Sequence, residues 1–423
     1  LALNLNVAEH CKFDRKQYFY PDLPKNYQIS QFDEPLAENG WLEVEIIEKD
    51  KEPYIKKIGI ERLHMEEDAG KLVHSGSDRL AGSKYSLVDY NRAGIALCEI
   101  VSKPDIRSGK EASEYASEIR RTVRYLGVSD GNMQEGSLRC DVNISVRKGP
   151  NAPFGTKVEI KNMNSFSAIQ KACDYEIARQ IEVYENGGKI FQETRLWDEA
   201  KQLTKSMRLK EGSSDYRYFP DPDLGPIEIT KAQQEIWFKE LPELPSKKRN
   251  KYVSQFGLSA YDARVISDEI SMANFFEETV ANGAEAKLAS NWVTSDIVGY
   301  LKSNKLSFSE LKLSPENLAE MINMISKNII SGKIAKEILP ELIQKNISPK
   351  KLVEEKGLAM ISDSSSILPI IDELINEHPN EVQAFKNGKT KLLGFFVGQL
   401  MKRTKGKADP KLANKLLMEK LNS

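Results

Sequence analysis

The prolines between residues 220 and 245 divide this chain into two parts of different texture. Pro220, Pro222 and Pro226 are followed by Pro242 and Pro245, a spacing typical of a linker. Before this segment polar and apolar residues alternate between Gly, Asp and Asn turns, whereas after it apolar residues recur at helical spacing. The pattern predicts an α+β fold for the first part and an all-helical second part.

The length of 423 residues fits about three domains. No run of about 18 apolar residues occurs, so a membrane span is excluded. The four cysteines form no CxxC pair, which indicates a reducing compartment rather than a disulfide framework or a zinc knuckle. The start, Leu1-Ala-Leu-Asn4, has no initiator Met and is typical of the middle of a helix in a truncated protein.

Two segments of the first part predict a sheet with one polar face. Residues 138–147 alternate regularly, so that Arg139, Asp141 and Asn143 share the face opposite to the apolar side chains. A shorter segment, 156–162, has the same pattern and predicts an antiparallel partner. Such a face is either simply solvated, or it supplies the cations for phosphate and the Asp and Asn for metal and ribose that an ATP site needs.

Helices are predicted at 109–126 and 165–186, the second of them closed by Gly187-Gly188. The inward stripe predicted for the second helix is Ile169, Cys173, Ile177, Ile181 and Tyr184. Beyond the prolines we predict helices at 262–279, 284–301, 315–331, 332–344, 381–404 and 410–421.

Charge is distributed unevenly along the chain. The formal net charge is only −1, yet residues 381–423 carry ten basic and three acidic side chains, a local balance of +7. The basic residues of this tail include Lys402, Arg403, Lys405 and Lys407.

Three carboxylates follow a histidine in the segment His64-Met-Glu-Glu-Asp-Ala-Gly-Lys71, which we place at the end of a strand. Carboxylates are the protein ligands of magnesium, although an acidic solvated turn looks the same. Glu99 lies in Ile95-Ala-Leu-Cys-Glu-Ile-Val101, a strand apolar on both faces, where a carboxylate must be paired, protonated or bound to metal. A salt bridge to Arg62 or Arg92 is the alternative. The segment at Lys71 lacks the glycine spacing of a P-loop, so that any nucleotide binds on a sheet.

Aromatic and basic residues are interleaved over residues 12–28, where Lys16, Tyr18 and Lys25 lie among further tyrosines and Phe19. A second aromatic stretch covers residues 214–223. Such segments either stack on RNA ends or pack a loop against a partner.

Seven motifs in the same order resemble the B subunit family of glutamyl/aspartyl-tRNA amidotransferases, GatB, over essentially the whole chain. They are Lys12-Phe-Asp-Arg-Lys16, Tyr18-Phe-Tyr-Pro-Asp22, Tyr27-Gln-Ile-Ser-Gln-Phe32, His64-Met-Glu-Glu-Asp-Ala-Gly-Lys71, Glu135-Gly-Ser-Leu-Arg-Cys-Asp-Val-Asn-Ile-Ser145, Glu159-Ile-Lys-Asn162 and Asp215-Tyr-Arg-Tyr-Phe-Pro-Asp221.

The resemblance implies a heterotrimer with an amidase A subunit, which frees ammonia from glutamine, and a small C subunit. The B subunit uses ATP and Mg²⁺ to phosphorylate the side-chain carboxylate of Glu or Asp mischarged on tRNA, and ammonia then displaces the phosphate. The resemblance also implies a cradle-like catalytic domain at 1–240 built on an antiparallel sheet, a helical domain at 241–352, and a small basic helical tail at 353–423 that grips tRNA phosphates. It further implies that about the first fifty residues of the family are absent, with part of its metal site. The expected location is the bacterial cytoplasm or an organellar stroma or matrix.

Site residues follow from the same resemblance. Glu67 and Glu99 are predicted as magnesium carboxylates. The ammonia route is predicted at Lys16, Tyr18 and Lys25. We also predict Asp141 as catalytic and Lys71, Arg139 and Asn143 as nucleotide contacts, with Lys402, Arg403, Lys405 and Lys407 binding tRNA.

Two other classes of function stay open. A non-catalytic tRNA-binding scaffold is favoured if a partner protein binds ATP. A free-standing ATP-dependent ligase of small acids is favoured if the basic tail has no role in binding.

Overall fold

The computed structural model describes residues 1–74, 84–209, 216–360, 364–404 and 406–422. The chain divides into two compact units, Leu1–Leu244 and Pro245–Ser423. Every strand of the described residues lies in the first unit, and the described part of the second unit is helical. The predicted α+β class is therefore confirmed, and the division falls within the proline segment.

The described strands are β1 (Asn6–Val7), β2 (His10–Cys11), β3 (Asp14–Gln17), β4 (Tyr27–Ser30), β5 (Ala37–Ile46), β6 (Tyr54–Glu67), β7 (Lys71–His74), β8 (Ser86–Asp89), β9 (Ala96–Ser102), β10 (Val142–Ile144), β11 (Val158–Lys161), β12 (Glu193–Asp198), β13 (Leu203–Leu209), β14 (Phe219–Pro220) and β15 (Ile227–Glu228).

The α-helices are α1 (Gly109–Tyr125), α2 (Phe166–Glu185), α3 (Lys231–Glu240), α4 (Pro245–Ser254), α5 (Ala260–Ile266), α6 (Ile270–Ala281), α7 (Ala286–Asn291), α8 (Val298–Asn304), α9 (Pro315–Ser326), α10 (Gly332–Lys345), α11 (Pro349–Glu355), α12 (Ser364–Glu377), α13 (Pro379–Lys386), α14 (Leu393–Arg403) and α15 (Pro410–Asn422). A π-helix, Trp292–Ile297, joins α7 to α8, and 3₁₀ turns lie at Phe308–Glu310 and Thr390–Leu392.

The first sheet has the order β1-β5-β6-β9, and all of its neighbours are antiparallel. Its long strands alternate in burial, because Val44 and Ile46 of β5 and Ile58 and Ile60 of β6 point into one core. Helix α1 contributes Ile119 to this core. The first residues, predicted as the middle of a helix, instead form a turn that leads to β1, so that prediction is wrong.

The second sheet has the order β10-β11-β12-β13. Strands β10 and β11 are antiparallel, as predicted, but β11 and β12 are parallel because α2 crosses over between them, so the sheet is mixed. The predicted strand at 138–147 is shorter, Val142–Ile144, although Arg139, Asp141 and Asn143 are exposed on alternate positions as expected. Helix α1 also packs here through Ala112 and Ala116, so it joins both cores of the first unit.

The two predicted helices of this unit are found within one residue at each end, with Ser108 and Ser165 as N-caps. The predicted stripe of α2 is only half right. Ile169 and Cys173 are buried, but Ile181 and Tyr184 are 41% and 40% exposed.

Glu176 and Gln180 are buried in place of the predicted apolar residues on α2. The Glu176 carboxylate accepts hydrogen bonds from Arg179 at 2.6 Å and from Thr204 at 3.0 Å. Arg195 of β12 lies 3.6 Å away. A buried carboxylate with this many partners is stable, and apolar periodicity does not reveal it.

A small sheet, β14-β3-β4, joins residues near the start of the first unit to residues near its end. In it Phe219 is opposite Arg15, and Asp14 is opposite Ser30 on the other side. Beside it β15 pairs with β2, and β7 pairs with β8 as a separate hairpin.

The described residues of the second unit form two separate hydrophobic cores. The first gathers buried side chains from Tyr252 to Val353, and the second those from Ile367 to Leu421. The predicted boundary between 352 and 353 stays a prediction, although it lies close to the end of the first of these cores.

The predicted helices of the second unit are found with breaks that periodicity did not show. Ser267-Asp-Glu269 divides the predicted helix at 262–279 into α5 and α6, and the π-helix interrupts the one at 284–301. The helix predicted at 315–331 ends at Ser326. Among the helices described, none is both long and apolar enough to cross a membrane.

Candidate active site

Strand β6 extends through Glu67, so His64, Glu66 and Glu67 lie inside the strand, and of the three carboxylates only Asp68 follows it. In the ladder with β9, His64 is opposite Glu99, Glu66 is opposite Leu97 and Glu67 is opposite Ala96. Residues directly opposite share a face, and successive residues alternate between faces. The register therefore places His64, Glu66 and Glu99 on one face, and it puts Glu67 on the other.

His64, Glu66 and Glu99 form what we call the acidic cluster, the group of potential metal ligands found among the described residues. The Nε2 atom of His64 lies 3.8 Å from Oε2 of Glu66 and 3.8 Å from Oε2 of Glu99. The His64 and Glu66 side chains are 5% and 7% exposed, whereas that of Glu99 is 51% exposed. The cluster is thus buried at its base and open to solvent on the Glu99 side.

Neighbouring charges stabilise the ionised form of Glu66. Burial alone would raise the pKa of Glu66, but the imidazole of His64 and the charge of Lys16 outweigh it and hold that pKa below its usual range. Burial, together with Tyr216 and the charge of Glu66, raises the pKa of Tyr218 to about 12.

The acidic cluster fits a divalent cation. Its three ligand atoms lie within 4.8 Å of one another, slightly wider than the separations of octahedral ligands at about 2.1 Å from an ion, which are about 3.0 Å when adjacent and about 4.2 Å when opposite. Two carboxylates are what Mg²⁺ usually takes from protein, and the imidazole adds a nitrogen donor. The buried Nδ1 atom of His64 has no hydrogen-bond partner within the part of the chain that the structure describes.

Glu67 has different partners. Its Oε1 atom accepts hydrogen bonds from Nζ of Lys25 and, at 2.9 Å, from the backbone N–H of Ile29. Lys25 Nζ also lies 4.9 Å from the centre of the Tyr27 ring. The structure therefore does not bring the predicted pair Glu67 and Glu99 together. It joins Glu67 instead to Lys25, a residue predicted for the ammonia route.

Glu99 was expected among apolar neighbours, but the strand that carries it lies at the edge of the first sheet. Ile95, just before β9, is 55% exposed, and the Glu99 side chain is half exposed. The alternative salt bridge to Arg92 is also not the arrangement found, since Arg92 pairs with Asp68 at 3.1 Å.

Asp68 is a site residue that was not singled out from the sequence. Its two carboxylate oxygens bind Arg92 at 3.1 Å and Arg139 at 2.9 Å. Arg92 also donates to the backbone carbonyls of Ala69 and Gly70. The turn after β6 thus holds two guanidinium groups, including the predicted nucleotide contact Arg139, whose side chain remains 45% exposed. The sequence feature that could have indicated Asp68 is its place as the third carboxylate after His64.

Asp141 and Asn143 lie on the second sheet. Asp141 forms an ion pair with Lys161, and Asn143 is opposite Glu159. Burial works against the charge of Lys161, but Asp141 and Glu159 outweigh it and raise its pKa. Lys71 is exposed on β7 opposite Asp89. On the second sheet, the polar face therefore consists of paired charges, with Lys161 between Asp141 and Glu159.

Lys16 and Tyr18 adjoin the small sheet. Lys16 is opposite Gln28 on β4, and its Nζ atom lies 5.1 Å from the centre of the Tyr216 ring. Tyr18 stacks on Tyr20 at 4.7 Å between ring centres.

The basic tail residues differ in their surroundings. Arg403 at the end of α14 pairs with Glu377 and, at 3.2 Å, with Glu373 of α12. Lys402 is exposed and Lys407 is partly buried, while the predicted contact Lys405 lies outside the described residues.

Known families and proteins match this chain along almost its full length. Residues 1–235 match the GatB/GatE catalytic domain and residues 274–421 match the GatB domain. A Prochlorococcus marinus (strain MIT 9312) protein, named as the B subunit of an aspartyl/glutamyl-tRNA(Asn/Gln) amidotransferase, is 95% identical over 422 residues, which cover 100% of this chain and 86% of that protein. Proteins of the same name from Prochlorococcus marinus (strain MIT 9515) and Parasynechococcus marenigrum (strain WH8102) are 87% and 72% identical over 423 and 421 residues, again 100% of this chain and 86% of each relative. The chain therefore belongs to the GatB family.

Proposed function

We propose that this chain is the B subunit of an aspartyl/glutamyl-tRNA amidotransferase, which activates the side-chain carboxylate of Glu or Asp mischarged on tRNA. The relatives' names supply the substrate class. The observation that supports the catalytic part is the acidic cluster, whose two carboxylates and imidazole could hold the metal ion that phosphoryl transfer requires. A scaffold protein would have no need of this arrangement at the open edge of a sheet.

The chemistry proceeds in two displacements. An oxygen of the substrate carboxylate attacks the γ-phosphorus of ATP, and ADP leaves, which converts a poor electrophile into an acyl phosphate. The nitrogen of ammonia then attacks the acyl carbon, loses a proton, and inorganic phosphate leaves to give the amide. The products are Gln-tRNA(Gln) or Asn-tRNA(Asn).

The residues divide between these tasks. Glu66 and Glu99, with His64, would hold Mg²⁺, which supplies positive charge to the phosphate oxygens when it is bound. Glu66 takes the place first predicted for Glu67, because the ladder register supports Glu66. Arg139 and Arg92, held by Asp68, are proposed as phosphate contacts. We retain Lys71 and Asn143 as nucleotide contacts and Asp141 as a catalytic residue.

We assign ammonia delivery to Lys16, Tyr18 and Lys25. The hydrogen bond between Lys25 and Glu67 supports a role for Lys25 that is separate from metal binding, because Glu67 lies on the opposite face of the sheet from the acidic cluster. The nitrogen donor would be glutamine, hydrolysed by the amidase A subunit in a heterotrimer with the small C subunit. The basic tail would bind the tRNA body. The bacterial cytoplasm or an organellar stroma or matrix remains the predicted location.

The proposal is tested on the full-length protein assembled with its partner subunits. We expect ATP hydrolysis that depends on Glu-tRNA(Gln) or Asp-tRNA(Asn) and is weak with uncharged tRNA, accompanied by amide formation on the tRNA. ADP release and aminoacyl analysis of the recovered tRNA measure the two steps. A complex that binds these tRNAs but hydrolyses no ATP in their presence would favour the scaffold alternative, and hydrolysis driven by free glutamate would favour the small-acid ligase.

Lys25→Met should separate ammonia delivery from carboxylate activation. It removes the cation bound to Glu67 while keeping most of the side-chain volume. We expect glutamine-dependent amide formation to fall about tenfold, whereas formation from added ammonium changes little. Measuring both rates in one preparation provides the control, and an equal loss with both nitrogen sources would show that Lys25 acts in activation instead.

A further inference from the structure

Two aromatic rings stack across the small sheet β14-β3-β4. Phe32 follows β4, and Tyr218 precedes β14, so the two residues flank the central strand β3. Their ring centres are 4.2 Å apart and the ring planes are inclined by only 7°. We call this pair the aromatic platform.

The outer face of the platform is open. The Phe32 side chain is 53% exposed although one of its faces lies on Tyr218, so the opposite face is in contact with solvent. The backbone N–H of Phe32 donates to Oδ2 of the buried Asp14 at 3.1 Å, which holds the main chain that carries the ring. An aromatic ring whose face stays in contact with water is unfavourable by itself, and a ligand with a flat face would cover it.

The strand that leads to the platform contacts the acidic cluster. The hydroxyl of Ser30, the last residue of β4 and two positions before Phe32, donates to Oε2 of Glu66 at 3.4 Å. A group stacked on Phe32 would therefore lie beside the place where the substrate carboxylate is to be activated.

Cations accompany the rings of the small sheet. Lys16 lies beside the Tyr216 ring, with its Nζ atom 5.1 Å from the ring centre. The guanidinium of Arg15 lies 4.4 Å from the centre of the Tyr27 ring, but Asp221 and Asp223 hold it at 2.8 Å each, so Lys16 is the relevant cation. Basic groups interleaved with stacking rings are the signature of single-stranded nucleic acid and nucleotide binding. The sequence leaves open that these aromatic segments serve only in packing. Packing explains the stacked ring of Tyr218, but it does not explain the exposed face of Phe32.

We propose that the open face of Phe32 is a stacking subsite for an adenine base at the activation site. This inference rests on the function proposed above, which brings two adenines to the site, the terminal adenosine of the aminoacylated tRNA and the base of ATP. The shared chemistry is a purine ring stacked on Phe32, with Tyr218 supporting the ring from below.

The test uses the full-length assembled enzyme with Phe32→Ala, Phe32→Trp and, as a matched control, Phe191→Ala, which removes another exposed phenylalanine (65%) of the same unit. Binding is measured for uncharged tRNA(Gln) with and without its 3′-terminal adenosine, and KM is measured for ATP. Stacking of one base contributes about 5- to 150-fold to affinity. We therefore expect about a tenfold effect of Phe32→Ala, with Phe32→Trp and Phe191→Ala close to the unsubstituted enzyme.

Two results support the subsite and identify its source. If the unsubstituted enzyme prefers tRNA with the terminal adenosine and Phe32→Ala loses that preference, the adenine is that of tRNA. If the preference persists and KM for ATP rises, the adenine is that of ATP. If Phe32→Ala leaves both unchanged, the subsite is overturned, even where the enzyme still hydrolyses ATP with charged tRNA. Failure of the proposed function itself is distinguishable, because then the unsubstituted enzyme would hydrolyse no ATP with charged tRNA.

Discussion

We expect Glu66→Gln to lower tRNA-dependent ATP hydrolysis in the assembled enzyme by about 100-fold or more. The substitution keeps the shape of the side chain but removes one of the two carboxylates of the acidic cluster, and positioned charge is commonly the largest single contribution to catalysis. The measurement is the rate of ADP release as a function of Mg²⁺ concentration at saturating charged tRNA. Affinity for tRNA should not change, because the basic tail, and not the acidic cluster, is the proposed contact for tRNA phosphates.

Two neighbours on the same strand provide the controls. Glu61→Gln changes an exposed carboxylate outside the cluster and should behave like the unsubstituted enzyme. Glu67→Gln should keep the Mg²⁺-dependent hydrolysis of ATP, because Glu67 binds Lys25 on the other face of the sheet. The opposite pattern, with ATP hydrolysis lost in Glu67→Gln and kept in Glu66→Gln, would restore the metal pair first predicted from the sequence.

The difference between Glu66 and Glu67 shows how far the sequence defines this site. The motif and its acidic chemistry are recognisable from the sequence, which places the motif at the end of a strand, whereas β6 continues through Glu67. Inside a strand the faces alternate, so that a single residue decides between the acidic cluster and Lys25. Only the register with β9, set by hydrogen bonds to residues about thirty positions away, determines which of the two carboxylates shares a face with Glu99.

The fold was predictable where local patterns decide it. Helices α1 and α2 begin and end within one residue of their predicted bounds, and the alternation around Asn143 gave the correct faces. The length of that strand was overestimated, because alternation marks faces while a strand also needs a hydrogen-bonding partner at each position. Glu176 was missed for a similar reason, since its partner Arg195 comes from another element.

Charges in the tail were counted correctly but their partners were not visible. Arg403 belongs to the basic segment, yet α12 supplies Glu373 and Glu377 to it. In addition, Asp372 of the same helix pairs with Lys420. The acidic side of α12 therefore compensates part of the positive charge that the sequence assigns to tRNA binding.

We expect deletion of residues 361–423 from the assembled enzyme to weaken tRNA binding by about 100-fold at low salt. The loss of two contacts between cationic side chains and phosphates, at about 1.5 kcal/mol each, accounts for this magnitude. The cut spares the first core of the second unit, whose buried residues end at Val353, and the hydrogen bond from Met360 to Ile329. Affinity should be measured across a salt series, and an unchanged affinity and salt slope would exclude the tail as a tRNA contact.

Single substitutions then show which tail cations touch phosphate. Lys402→Ala should reduce the salt slope of binding by about one, because each phosphate contact releases about one counterion. Arg403→Ala removes a side chain already held by Glu373 and Glu377, so its main expected effect is a lower melting temperature with a salt slope close to that of the unsubstituted enzyme. A slope reduced by Arg403→Ala and not by Lys402→Ala would mean that tRNA displaces the two glutamates, and that α12 competes with the nucleic acid for Arg403.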